Sequence, residues 1–207
     1  MANVVTGRRG EPHITSDDDR ARHIEEFGKS KFVLNIGKRL WATKVSNNAV
    51  SIADGMCMSC GTQMGIEPLH TETVVIENGI AGQKRHDLIV MEYTRDRTQD
   101  IENAELVVLK GAPQPNNPSD PVYTEGDIMA GAELDQTPLW RVVLDGTTIT
   151  ELQPIYKLRS GMLPTDPTID PEGTEGQPDP DATAVITAAT IDKLWGMAIP
   201  DGDAGRY

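Results

Sequence analysis

The residues whose types and spacing could do chemistry begin with Cys57-Met58-Ser59-Cys60, a pair of thiols in C-x-x-C register. Such a pair is half of a zinc ribbon and the whole of a dithiol redox motif. A structural zinc site needs four ligands, yet no second C-x-x-C follows and His70 is the only histidine nearby. The pair does not open a helix after a strand, and residues three apart on an extended strand point to opposite faces. Cys57 and Cys60 therefore read as two small apolar residues beside a turn, with no metal expected. His13 and His23 flank a proposed helix start without a third ligand. The acidic clusters Asp17-Asp18-Asp19 and Asp179-Pro180-Asp181 offer oxygens suited to calcium, but no EF-hand loop frames them. They read as a charged helix start and a solvated linker.

The signatures of catalysis are missing from the sequence. There is no G-x-S-x-G elbow, and no G-x-x-x-x-G-K-[ST] loop to cradle phosphates. Carboxylates are abundant, but a glycosidase needs two at a set separation, so abundance alone names no pair. No catalytic residue and no cofactor is expected, and the chain reads as a non-enzyme. With 32 acidic against 19 basic side chains, a net charge of −13, it would be repelled by a phosphate backbone, which argues against nucleic acid as a partner. Aromatic residues make up only 4%, leaving the core to Val, Ile, Leu and Met. No apolar run is long enough to span a bilayer, and Met1 to Gly10 lacks the apolar stretch of a secretory signal. The expectation is a soluble chain made in the cytoplasm.

Around these residues the punctuation is that of a mainly β protein. Ser16, followed by acids and stopped by Gly28, predicts one short helix with Ser16 as N-cap and Ala21, Ile24 and Phe27 on one face. From Phe32 onward, short β-prone runs predict strands at 32–34, 40–45, 49–52, 73–76, 87–93, 106–109, 140–144 and 149–158. Turns are expected at Asn47-Asn48, Asp54-Gly55, Asn78-Gly79 and Asp145-Gly146. This is the pattern of an antiparallel β-sandwich or small barrel. Leu88-Ile89-Val90-Met91 reads as a central strand buried on both faces, and the prolines between Gly111 and Pro121 impose an extended surface connection. The chain divides into an N-terminal arm and helix (1–31), a β domain (32–159), an acidic Pro-rich linker (160–181) and a C-terminal docking segment (182–207) with the pattern of a short amphipathic helix.

Several motifs recur in one order. They are Val5-Thr6-Gly7, Gly10-Glu11-Pro12-His13-Ile14-Thr15-Ser16, Phe27-Gly28, Asp54-Gly55, Ile76-Glu77-Asn78-Gly79, Gly82-Gln83-Lys84-Arg85 with Asp87-Leu88-Ile89-Val90, Leu106-Val107-Val108-Leu109-Lys110-Gly111, and Pro138-Leu139-Trp140. Together they resemble a family of phage and prophage structural proteins of Gram-positive hosts, described as tail, baseplate or receptor-binding-associated proteins. The resemblance covers about residues 2 to 158. The C-x-x-C after Asp54-Gly55 departs from it, and the tail after Arg159 lies outside it. It implies a virion component in the tail or baseplate, partnered by other phage structural proteins and forming a homo-oligomer, with a trimer among the states. A head decoration or head fibre is the alternative location. A carbohydrate-binding module for a host surface glycan is the alternative role, with Trp41, Trp140 and Trp195 as stacking faces. No catalytic residue carries over. Among the matched positions, Arg85 and Asp87 are the polar pair expected to matter most. They bracket His86, where an arginine can clamp a carboxylate or backbone carbonyls with bidentate geometry, serving either the fold or a contact with a neighbouring subunit.

The apolar pattern that returns after the linker gives the docking segment its expected anchors, Ile191, Leu194 and Trp195. A helix that short is marginal alone, but a tether raises its local concentration at a docking groove. The segment reads as an assembly latch, on a neighbouring subunit or folded back on its own β domain. Deleting Ala182 to Tyr207 should leave the β domain folded by circular dichroism yet weaken oligomerisation or incorporation into particles. A truncated chain that assembles as well as the full one rules the latch out.

Overall fold

The computed structural model describes residues 14–159, and they form two β-sheets packed as a sandwich behind one short helix. The linker at 160–181, the docking segment with Ile191, Leu194 and Trp195, and His13 lie outside the described residues.

Helix α1 spans Ser16–Phe27. Its N-cap is Thr15, not Ser16. The Thr15 hydroxyl accepts from the Asp18 amide at 3.2 Å, and the Asp18 carboxylate accepts from the Thr15 amide at 2.9 Å, a reciprocal capping box. Ser16 has an acid three residues on as well, so the pattern alone does not choose between the two. Gly28 ends the helix at φ 76°. The inward face also differs from the expected one: Arg20 is buried, Ile24 and Phe27 are half-buried, and Ala21 is exposed. Arg20 tolerates burial because Glu102 and Asp17 pair with it, and its guanidinium lies 5.8 Å from the centre of the Tyr93 ring.

The first sheet has five strands: β1 (Phe32–Leu34), β2 (Ala42–Ser46), β3 (Ala49–Ser59), β4 (Thr62–Val75) and β9 (Leu158–Arg159). Strands β3 and β4 are far longer than expected. Asp54-Gly55 is no turn but a bulge inside β3, where the ladder passes from Ala53↔Thr71 to Gly55↔Ile66. Gly55 at φ 151° lies so close to Arg39 and Leu40 that a Cβ there would sit 2.5 Å from the Leu40 amide. The true reversal is the two-residue turn Cys60-Gly61, with φ 47° and 76°, so the second cysteine serves as a turn residue. Strand β2 starts later than expected because Arg39 and Leu40 both take positive φ, 58° and 55°.

The second sheet orders as β6-β5-β7-β8, with β5 at Lys84–Asp96, β6 at Ile101–Leu109, β7 at Leu134–Asp145 and β8 at Thr148–Pro154. The expected hairpin between β7 and β8 forms one residue later, on Gly146-Thr147, with Asp145 paired to Thr148. The run 149–158 is not one strand. Pro154, which cannot donate to a ladder, ends β8 opposite Trp140. The chain then crosses to the first sheet as β9, parallel to β1. Arg159 secures that crossing by donating to the Phe27 carbonyl at 2.8 Å, its guanidinium 5.2 and 5.1 Å from the Phe27 and Phe32 ring centres.

The core lies between the sheets, with Val33, Val50, Ile52, Ile89, Tyr93 and Trp140 contributed from both. Trp140 is sealed there, donating its indole N–H to the Leu40 carbonyl at 2.9 Å and meeting Trp41 and Tyr156 edge to face at 5.2 and 5.7 Å. Strand β5 is buried on both faces, as its apolar run requires. Leu88 and Val90 are buried outside this core. By strand alternation they share their face with His86 and Arg141, onto which the Pro-rich connection drops Asp120. That connection covers the second face of the sheet.

Gly61 meets the helix directly: a Cβ there would lie 2.4 Å from the Arg20 carbonyl, whereas Gly82, also at φ 76°, has no atom within 4 Å. Gly82→Ala should cost only left-handed backbone strain, about 1–2 kcal/mol. Gly61→Ala should cost that plus displacement of α1, about 1–3 kcal/mol more. Urea unfolding of the two variants side by side checks the difference.

Candidate functional site

Where β8 leaves the second sheet, the sandwich opens into a cleft of about 580 Å³. Its apolar walls are Phe32, Tyr123 and Tyr156, and Lys29, Lys31 and Lys157 supply its cations. The polar centre beside it is Asp135 on β7, whose carboxylate is fully buried and accepts from Lys31 Nζ at 2.8 Å, Ser59 Oγ at 2.7 Å and the Gly126 amide at 2.8 Å. Lys31 also donates to the Gln136 carbonyl at 2.7 Å and stands 5.7 Å from the centre of the Tyr123 ring. Lys29 pairs with Asp127 at 2.7 Å, which holds the lysine above its ordinary value and the carboxyl below its own. Burial, and then the charge of Glu125, push the Tyr123 phenol up. Thr137 lines the same cleft, and its buried hydroxyl oxygen has no hydrogen-bond partner among the described residues.

The Arg85–Asp87 pair forms with the bidentate geometry expected of it. Arg85 Nε and Nη2 each lie 2.8 Å from a carboxylate oxygen of Asp87. Nη2 also donates to the Glu77 carbonyl at 2.5 Å, and the Gly111 amide donates to Asp87 at 2.9 Å. With Arg85 2% exposed and Asp87 0%, the pair is spent on the chain itself. It ties the loop before β5 and the start of the Pro-rich connection to the second sheet. On the opposite face of β5, His86 lies 3.0 Å from Asp120, and Arg141 grips the same carboxylate with Nε at 2.6 Å and with Nη2. Arg141 first, and His86 after it, hold the Asp120 carboxyl below the ordinary carboxylate range.

No family model matches the chain, and no curated protein matches it. The chemistry must therefore be read from the groups themselves. Cys57 and Cys60 are both free and buried. Burial pushes the Cys57 thiol up to about 12, so it is no nucleophile at neutral pH. Among the described residues, no group of three or more His, Cys, Asp or Glu side chains is placed to hold a metal ion. His23 is turned to the Gly61 carbonyl at 2.9 Å, and Asp17 to Arg20. Trp140 presents no stacking face, and Trp41 packs against it. Among the described residues, no helix is long and apolar enough to cross a membrane.

Sequence reasoning found Arg85 and Asp87 but missed Asp135 and the cleft. Asp135 in Glu133-Leu134-Asp135-Gln136-Thr137 carries no signal among 31 other acids, and the cleft exists only because one strand changes sheets. Replacing Arg85 with Met leaves the Asp87 carboxylate buried without its counter-charge. That change should cost about 3–5 kcal/mol of folding stability, measured by denaturant titration.

Proposed function

We propose that the chain is a non-enzymatic structural component of a bacteriophage particle, an assembly or adapter module of the tail or baseplate that works as a homo-oligomer with other phage structural proteins. The observation that supports this reading is how the buried carboxylates Asp135 and Asp87 and the half-buried Asp120 are used. Asp135, Asp87 and Asp120 each bind segments of this chain to one another, which makes a stiff sandwich rather than a poised reaction centre. Loops pinned in this way suit a module that must present fixed surfaces to neighbours. The resemblance of the motif order to that of phage and prophage structural proteins supports the same reading.

A head decoration is the alternative location. The glycan-binding alternative loses the Trp140 face to the core, Trp195 lies outside the described residues, and the tyrosine-walled cleft offers that alternative a further aromatic surface. Antibody-gold labelling of intact particles from a host that produces this chain decides the matter. Label at the tail end is expected; particles that carry no label anywhere, while the chain stays free in the lysate, overturn the proposal.

A further inference from the structure

Between Ile66 and Thr71, β4 leaves the ladder for four residues, Glu67-Pro68-Leu69-His70, opposite the single residue Asp54. At the apex Leu69 takes φ 67° and is 92% exposed. Both features oppose folding. Leucine has no polar group to stabilise the left-handed region locally, so strain there persists only where the surroundings impose it or a function uses it. An aliphatic side chain gains nothing from water. Every residue of the knuckle is exposed, so packing within the domain does not hold Leu69 in place. The ladder on either side does, since Ile66 pairs with Gly55 and Thr71 with Ala53, and the knuckle stands out as a fixed projection. Glu67 and Glu72 flank it, both exposed, and His70 leans on Glu67 at 3.3 Å.

The cleft described above has the opposite character. It offers aromatic walls in Phe32, Tyr123 and Tyr156 and a volume of about 580 Å³, ample for an aliphatic side chain and the proline beside it. In a chain with a net charge of −13, three lysines converge on this one opening, where Glu125 and Asp127 are the acidic side chains on the lining. Lys29 and Lys31 already hold Asp127 and Asp135. Lys157 is exposed and makes no ion pair among the described residues, so it is the cation left to meet an incoming carboxylate.

We propose that the chain assembles head to tail, the Leu69 knuckle of one copy seating in the lysine-rimmed cleft of the next, with Glu67 against Lys157. This rests on the assembly reading given above and names its partner as a second copy of this chain. A head-to-tail contact of this kind is heterologous and repeats into a closed ring or an open filament, according to the rotation between copies.

Sedimentation velocity over a range of concentrations, on the full chain, tests this with four variants. Leu69→Gly removes the knob while relieving the positive φ. It should weaken association by about tenfold or more and leave the thermal midpoint unchanged or raised, which a merely structural leucine would not do. Glu67→Lys and Lys157→Glu should each weaken association, and the two together should recover most of the loss. A wild-type chain that stays monomeric at every concentration overturns the proposal, as does a Leu69→Gly chain that associates as tightly as wild type. So does a double charge reversal no better than its single variants. Failure here and failure of the assembly reading are separable: particles that incorporate Leu69→Gly normally sink the knuckle contact alone. Particles that lack the chain altogether sink the broader reading, and leave the self-association measured in solution standing.

Discussion

A single buried carboxylate holds together more of this domain than any other group. Asp135 stands on β7 of the second sheet, while Ser59, which donates to it, ends β3 of the first. Lys31 brings the junction between α1 and β1 to the same point, and the Gly126 amide brings the loop before β7. Burying a carboxylate without compensation costs several kcal/mol, so the three donors are required together, and each fixes a different stretch of chain. The helix, the end of the long hairpin and the 122–127 loop are positioned by the same requirement, and the cleft is the space left among them.

Asp87 repeats the device at the other end of the inner face. It too accepts three hydrogen bonds, two from Arg85 and one from Gly111. Arg85 continues the chain of contacts to the Glu77 carbonyl. Asp120 does for the outer face what these two do inside, drawing a proline-rich connection onto His86 and Arg141. A sandwich with few aromatic residues and a modest aliphatic core thus gains definition from polar clips that have one satisfying arrangement. The left-handed backbone at Arg39, Leu40, Cys60 and Leu69 is borne by this framework. For Leu40 the framework includes a specific tie, the indole N–H of Trp140 on its carbonyl.

The sequence carried the class of the fold and the character of its central strand. Leu88 to Met91 is apolar at every position because both faces of β5 are covered, and such a run is visible without coordinates. Arg85 and Asp87 were singled out only as matched positions of the resemblance; that they share one face of β5 follows from the strand extending back to Lys84. Strand lengths were less legible. The second half of β4 alternates nothing, since its side chains from Glu67 to Thr73 are all exposed. A bulge glycine at Gly55 looks in sequence like a turn glycine, and a Cys-Gly turn carries none of the Asn-Gly or Asp-Gly signal. The crossing of the chain between sheets after Pro154, which creates the cleft, is a property of topology and leaves no local trace.

The parallel pairing of β1 with β9 also bears on when the domain can form. Val33 finds its partner in Leu158, so among the described residues the first strand is completed by the last, and nearly the whole domain must be looped between them. Such closure makes for high contact order, and folding is slowed accordingly, because the entropy of bringing distant segments together is spent before their contacts return it. During synthesis the nascent chain would hold β1 with one edge unpaired until the segment around Leu158 has left the ribosome. The final strand therefore acts as a checkpoint on completion: a chain interrupted before it has an open seam beside β1, the kind of exposed strand edge that quality-control proteases and chaperones engage.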